Sequence, residues 1–144
     1  MVKMNGIYEG QKHCTLTHEP SASQISTDAP KDNHGRGEAF SPTDLTAVSL
    51  GACMMTVMAI QAEKEGLDLK NSHFQVSKEM TSTPPRRIQK LTVHLYMVRG
   101  ISDAWQKRLI EIAHNCPVKL SLNPNIDIEI EFHWDQVGGI ENQR

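Results

Sequence analysis

Residues 41–67 read Ser-Pro-Thr-Asp-LTAVSLGACMMTVMAIQAEKEGL, with Cys53 near the middle, and the reading of this stretch decides the fold. Ser41 suits an N-cap, and Pro42 at the first helical position loses no donor that the helix needs. Asp44, three residues after the cap, can accept from the cap's own N–H and sits at the positive end of the helix dipole. Gly66 supplies a left-handed residue to close the helix, with Lys64 near its negative end. Between Asp44 and Glu63 no side chain carries a charge. Leu45, Val48, Leu50, Val57 and Ile60 favour lipid by about 0.3–0.6 kcal/mol each. Thr46, Ser49, Gly51, Thr56 and Gln61 work against that sum, so a helix buried in protein is favoured over a membrane span. Leu50, Met54, Val57 and Gln61 follow one ridge. Gly51, Ala52 and Cys53 make a patch of small residues where another backbone or a small ligand can approach. A helix apolar on most sides must be covered on most sides, and a second subunit is expected to help.

The chain has 144 residues, a length that predicts one domain with a substantial core. Its net charge is −2, with both signs mixed along it. No basic run and no aromatic-interleaved basic strand is present, so no nucleic-acid partner is expected. The N-terminus MVKMNGIYEG lacks an apolar core for secretion. The three cysteines, at 14, 53 and 116, form neither CxxC nor a zinc pattern. An odd count without a dense framework points to free thiols in a reducing cytoplasm. Seven methionines suit an adaptable pocket.

Short alternating runs at 2–9, 12–18 and 23–28 predict antiparallel strands. Residues 29–40, rich in Pro, Asp, Asn and Gly, predict a loop that carries Arg36 and Glu38 up to the helix. Residues 72–82 and 88–98 alternate again, the latter with Leu91, Val93, Leu95 and Met97 on one face and Lys90, Thr92, His94 and Tyr96 on the other. Ser102 caps a second helix, 103–114, with Trp105, Leu109, Ile112 and Ala113 on its apolar stripe. Pro117 opens a short third helix, which puts Cys116 at the N-cap. A last strand spans 126–134, and the tail VGGIENQR is expected to fray. The order of elements predicts an α+β domain, 1–144, with antiparallel sheets packed on the long cysteine-bearing helix rather than a βαβ winding.

Two readings of Cys53 and Cys116 stand side by side: small apolar residues filling a core, or a redox pair. Backbone N–H groups at a helix N-terminus lower a thiol's pKa, which is the expectation for Cys116. A thiolate attacks peroxide, and a second thiol traps the sulfenic acid. A fixed positive charge assists, and Arg36, Arg86 and Arg87 are the candidates outside helices. Metal binding by His13, Cys14 and His18 is a third, weaker option, disfavoured because a strand puts 14 and 18 on one face and 13 on the other. No metal or cofactor is expected. His34 in the loop and His94 and His133 on polar strand faces read as surface residues.

The segment PTDLTAVSLGACMMTVM, with NCPVKLSL before a terminal strand, resembles the OsmC/Ohr family of osmotically inducible and organic hydroperoxide resistance proteins. That resemblance implies an α+β homodimer whose chains interlock around the cysteine-bearing helices. It implies that Cys53 attacks an organic hydroperoxide, that Cys116 resolves the sulfenic acid, and that a dithiol such as dihydrolipoamide restores the pair. A family arginine and a family glutamate poise the thiolate. The glutamate position directly after proline holds Thr43 here, with Asp44 one place on, and Arg36 is the arginine candidate by its place in the loop. The alternative reading is a non-catalytic or thiol-sensing binder of a small apolar molecule at the dimer interface.

Overall fold

The computed structural model describes residues 1–135. The tail expected to fray, 137–144, lies outside them. The chain falls into two compact units, Met1–Thr46 and Ala47 onward.

The first unit is a three-stranded antiparallel sheet, β1 (Met4–Tyr8), β2 (His13–His18) and β3 (Ser23–Asp28), in that spatial order. The register pairs Gly6 with Leu16 and Leu16 with Ile25. Side chains alternate in direction along a strand. Met4, Tyr8, Cys14, Leu16 and Ile25 therefore share one face of the sheet. A groove of about 490 Å³ runs along it, lined by Met4, Leu16 and Ile25 among others. Met4 and Tyr8 are about two-thirds exposed and Ile25 is half exposed. The loop after β3 contains one turn of 3-10 helix, Lys31–Asn33, and returns so that Asp28 N donates to Phe40 O at 3.1 Å.

The central helix, α1 (Pro42–Lys64), begins as its sequence dictates. Ser41 N donates to Asp44 Oδ2 at 2.9 Å and Asp44 N donates to Ser41 Oγ at 3.1 Å, a reciprocal capping box. It ends where Gly66 takes φ +79° and Leu67 N reaches back to Ala62 O at 3.0 Å. By length and composition α1 could cross a membrane. Its stripe Leu50, Met54, Met58 and Ala62 is instead fully buried in the second unit. The predicted ridge ran through Val57 and Gln61; the buried phase passes through Met58 and Ala62, and Gln61 is exposed. A helix with no charged residue to mark its wet side leaves that phase open. The opposite side stays partly open, with Ile60 49% exposed.

The second sheet holds β4 (His73–Met80), β5 (Ile88–Tyr96) and β6 (Asp127–His133), ordered β4-β5-β6. Leu91, Val93, Leu95 and Met97 are buried with the α1 stripe in one core. Gly51 is what lets α1 sit so close to β4: a Cβ there would lie 2.8 Å from Val76 Cγ2 and nearer still to the Phe74 ring. Helix α2 (Asp103–His114) is capped by Ser102 Oγ, which accepts from Trp105 N, and it contributes Leu109 and Ala113 to the core. A short helix, α3 (Pro117–Ser121), follows.

The α+β class stands, but the last strand corrects the antiparallel expectation. β4 and β5 are antiparallel, whereas β6 runs parallel to β5, so the sheet is mixed. The segment from β5 through α2 and α3 to β6 is thus a crossover connection, which a parallel neighbour requires.

Candidate functional site

The two thiols predicted to work together are brought together within the second unit. Cys53 lies at mid-α1, partly exposed and packed against the core. Cys116 is fully buried at the N-cap of α3, where Pro117 fixes the first helical residue. Cys53 lies close enough to Cys116 to act on the charge of its thiol. The Cys116 sulfur also accepts from Lys119 N at 3.3 Å.

The expectation of an acidic Cys116 is corrected by burial. Desolvation pushes this thiol up, and it outweighs the N–H of Lys119, which pulls the other way. Neighbouring Cys53 pushes it further up, because two thiolates cannot share one dry pocket cheaply. The helix N-terminus is present as predicted, but a five-residue helix offers a small field. Cys116 therefore keeps its proton, and Cys53 is the thiol that solvent can reach.

Arg36 lies in the first unit, where its guanidinium faces Asp28 at 3.7 Å. Asp44 holds the capping box of α1 with one carboxylate oxygen. Of the other arginines, Arg87 donates to Ile88 O at 3.1 Å.

Sequence reasoning passed over Asp28, which is 1% exposed. It stands directly across from His13 in the β2–β3 register, and His13 Nδ1 lies 2.6 Å from Asp28 Oδ1. Glu38 N donates to its other oxygen at 3.1 Å. The hydrogen bond with His13 holds the Asp28 carboxyl below the usual carboxylate range, helped by Glu38 N–H and the Arg36 charge. A single carboxylate thus ties His13, Arg36 and the 35–40 loop together, and a carboxylate placed so needs such partners to stay ionised out of water. The signal available beforehand was the His13–Asp28 pairing that a tight β2–β3 hairpin brings about.

A family model described as OsmC-like protein matches residues 35–131. A candidate osmotic stress induced and detoxification response protein from Psychrobacter arcticus 273-4 is 36% identical. That likeness covers 92% of this chain and 96% of that one, with a TM-score of 0.88. An organic hydroperoxide resistance protein OsmC from Legionella pneumophila matches at TM-score 0.73 and 17% identity, over 92% of this chain and 96% of that one. An OsmC-like protein from Mycoplasma pneumoniae matches at 0.78 and 15%, over 94% and 98%. These two share the fold. No protein among those with curated descriptions matches. With most of its length matched by the family model and 36% identity to a relative over 92% of the chain, the chain belongs to the OsmC-like protein family.

Proposed function

We propose that this protein is a thiol-dependent peroxidase that reduces organic hydroperoxides through Cys53 and Cys116, in a redox or stress-response role. The observation that supports the reading is a partly exposed thiol, Cys53, placed near enough to a fully buried one, Cys116, to act on its charge. In the first step the Cys53 thiolate attacks the distal peroxide oxygen. The O–O bond breaks, the alkoxide takes a proton and leaves as an alcohol, and Cys53 becomes a sulfenic acid. The Cys116 sulfur then attacks the Cys53 sulfur. An S–S bond forms, and the displaced hydroxide leaves as water with the proton that Cys116 had kept. A dithiol such as dihydrolipoamide restores both thiols by two exchanges. Both thiols belong to an apolar core, Cys116 within it and Cys53 packed against it, a setting that favours an organic over a hydrated peroxide.

The working form is proposed to be a homodimer in the cytoplasm. The half-open side of α1 and the exposed Met4, Tyr8 and Ile25 face leave apolar surface that a second copy would cover.

Steady-state consumption of cumene hydroperoxide with dihydrolipoamide tests the reading. Wild type is expected to turn over, Cys53→Ser to lose turnover, and Cys116→Ser to stop at a dimedone-reactive sulfenic acid. Absence of both peroxide consumption and a 53–116 disulfide by mass spectrometry would end it.

A second reading, a thiol-sensing binder of a small apolar molecule, is favoured by the engagement of Arg36 with Asp28 and of Asp44 with the helix cap. Slow alkylation of Cys53 with no peroxide turnover would select it.

A further inference from the structure

On the outer face of the second sheet, away from the thiols in sequence and in role, four rings form a column. His73 stacks on Tyr96 with centroids 4.7 Å apart, Tyr96 on His133 at 4.6 Å, and His133 on His94 at 5.2 Å. Beside it stands Glu131, directly across from His94 in the parallel β5–β6 register. His133 follows two residues on, so it projects from the same face of β6. The neighbouring carboxylate, Glu129, is already taken by Lys90 at 2.7 Å.

Three atoms converge here. His94 Nδ1 lies 3.0 Å from His133 Nε2 and 3.3 Å from Glu131 Oε2, and His133 Nε2 lies 3.8 Å from that same oxygen. An ordinary histidine–carboxylate bond would bring Glu131 to one ring nitrogen at about 2.7–2.9 Å. Its oxygen instead pairs with His94 at a longer 3.3 Å, and the two ring nitrogens share a hydrogen bond whose proton an ion would displace. The circle through these three atoms has a radius of about 2.0 Å, which is the bond length zinc makes to imidazole nitrogen and carboxylate oxygen. One ion can therefore reach all three without moving the backbone. The side chains are a quarter to a half exposed, so an ion can enter and water can complete its shell.

We propose that His94, Glu131 and His133 form a site for a divalent first-row transition metal ion, Zn²⁺ being the natural occupant, pinning β6 to β5. Two imidazoles and one carboxylate suit zinc, nickel or copper, and exclude calcium and magnesium, which require a shell of oxygens. The stack of His73 and Tyr96 on His133 fixes that ring's plane and cuts the ordering cost of binding. The site is independent of the thiol chemistry proposed above.

Calorimetric titration of the chelator-stripped full-length protein with ZnCl₂, together with side-chain ¹⁵N spectra of its histidines, tests the proposal. Zinc is expected to shift His94 Nδ1 and His133 Nε2 specifically. His94→Ala and His133→Ala should each weaken binding about tenfold or more, and Glu131→Gln should weaken it less. His114→Ala, at the end of α2, should leave it unchanged. Zinc that binds wild type and His94→Ala equally, with the histidine rings unmoved, would place the ion elsewhere on the protein and overturn the proposal. No measurable zinc binding would overturn it as well.

Discussion

The two sheets of this protein have the same number of strands and differ in what lies against them. In the second, every inward residue of β5 is sealed: Leu91, Val93 and Leu95 have no exposed surface. In the first, every residue of β1 is exposed, and the buried side chains of its strands are Thr27 and Asp28. One sheet is held by apolar burial, the other by a carboxylate and by hydrogen bonds. Three strands need an apolar face under cover to be stable, so the contrast locates where the fold's free energy resides and where a covering surface is missing.

The contrast can be pressed hardest at matched aliphatic residues. Leu50→Ala, in the second unit's core, is expected to cost about 2–5 kcal/mol in urea unfolding. Ile25→Ala on the open face should cost about 1–3 kcal/mol, rising with protein concentration, if a second copy covers it. A loss below about 0.5 kcal/mol, with an unchanged mass in solution, would mean the face is bare and the homodimer does not form there. Gly51→Ala sharpens the same comparison from the helix side. Alanine favours a helix by about 1 kcal/mol, yet here the added methyl meets Phe74 and Val76. A net loss of about 1–2 kcal/mol is expected, and a gain would show that β4 yields easily.

Two smaller effects appear against pH. An unfolded cysteine releases its proton near about 8.5, whereas Cys116 holds its own higher. Above that pH the unfolded state binds fewer protons, so stability falls as pH rises. Cys116→Ser should flatten this alkaline limb of the melting temperature, and an unaltered slope would contradict the buried thiol. Asp28 is shifted the other way. Its contribution is present above about pH 3.9 and fades as pH drops through the lower folded value. Asp28→Asn should blunt that acid limb and speed protease cleavage within residues 31–40, which Asp28 ties down through Arg36 and Glu38. Cleavage at the wild-type rate would assign the loop's order to other contacts.

Local chemistry made the ends of α1 legible. Ser41, Pro42 and Asp44 can do little else than start a helix, and Gly66 closes it as read. What failed to show was the helix's rotation, because the eighteen residues between Asp44 and Glu63 carry no charge to distinguish wet from dry. Helix α2 shows the reverse: Arg108 and Glu111 mark its outer side, and Leu109 and Ala113 lie inside as expected. The direction of β6 was hidden as well, since alternation reads the same in parallel and antiparallel strands. That hidden direction is why His94 and His133 looked like scattered surface residues: only the parallel register sets them beside each other and Glu131. The meeting of Cys53 with Cys116 followed from family likeness rather than from spacing. Asp28 looked like an ordinary residue at the mouth of a loop, because a buried carboxylate depends on partners from elsewhere in the chain.

The crossover that carries Cys116 has a bearing on when the molecule becomes reactive. β6 cannot dock until residues 97–126 have been threaded past the sheet, and distant pairings of this kind form late. Until then the two sulfurs belong to separate stretches of a growing polypeptide. Oxidants met during synthesis would find lone thiols, and the disulfide chemistry proposed for them would have to await the closing strand.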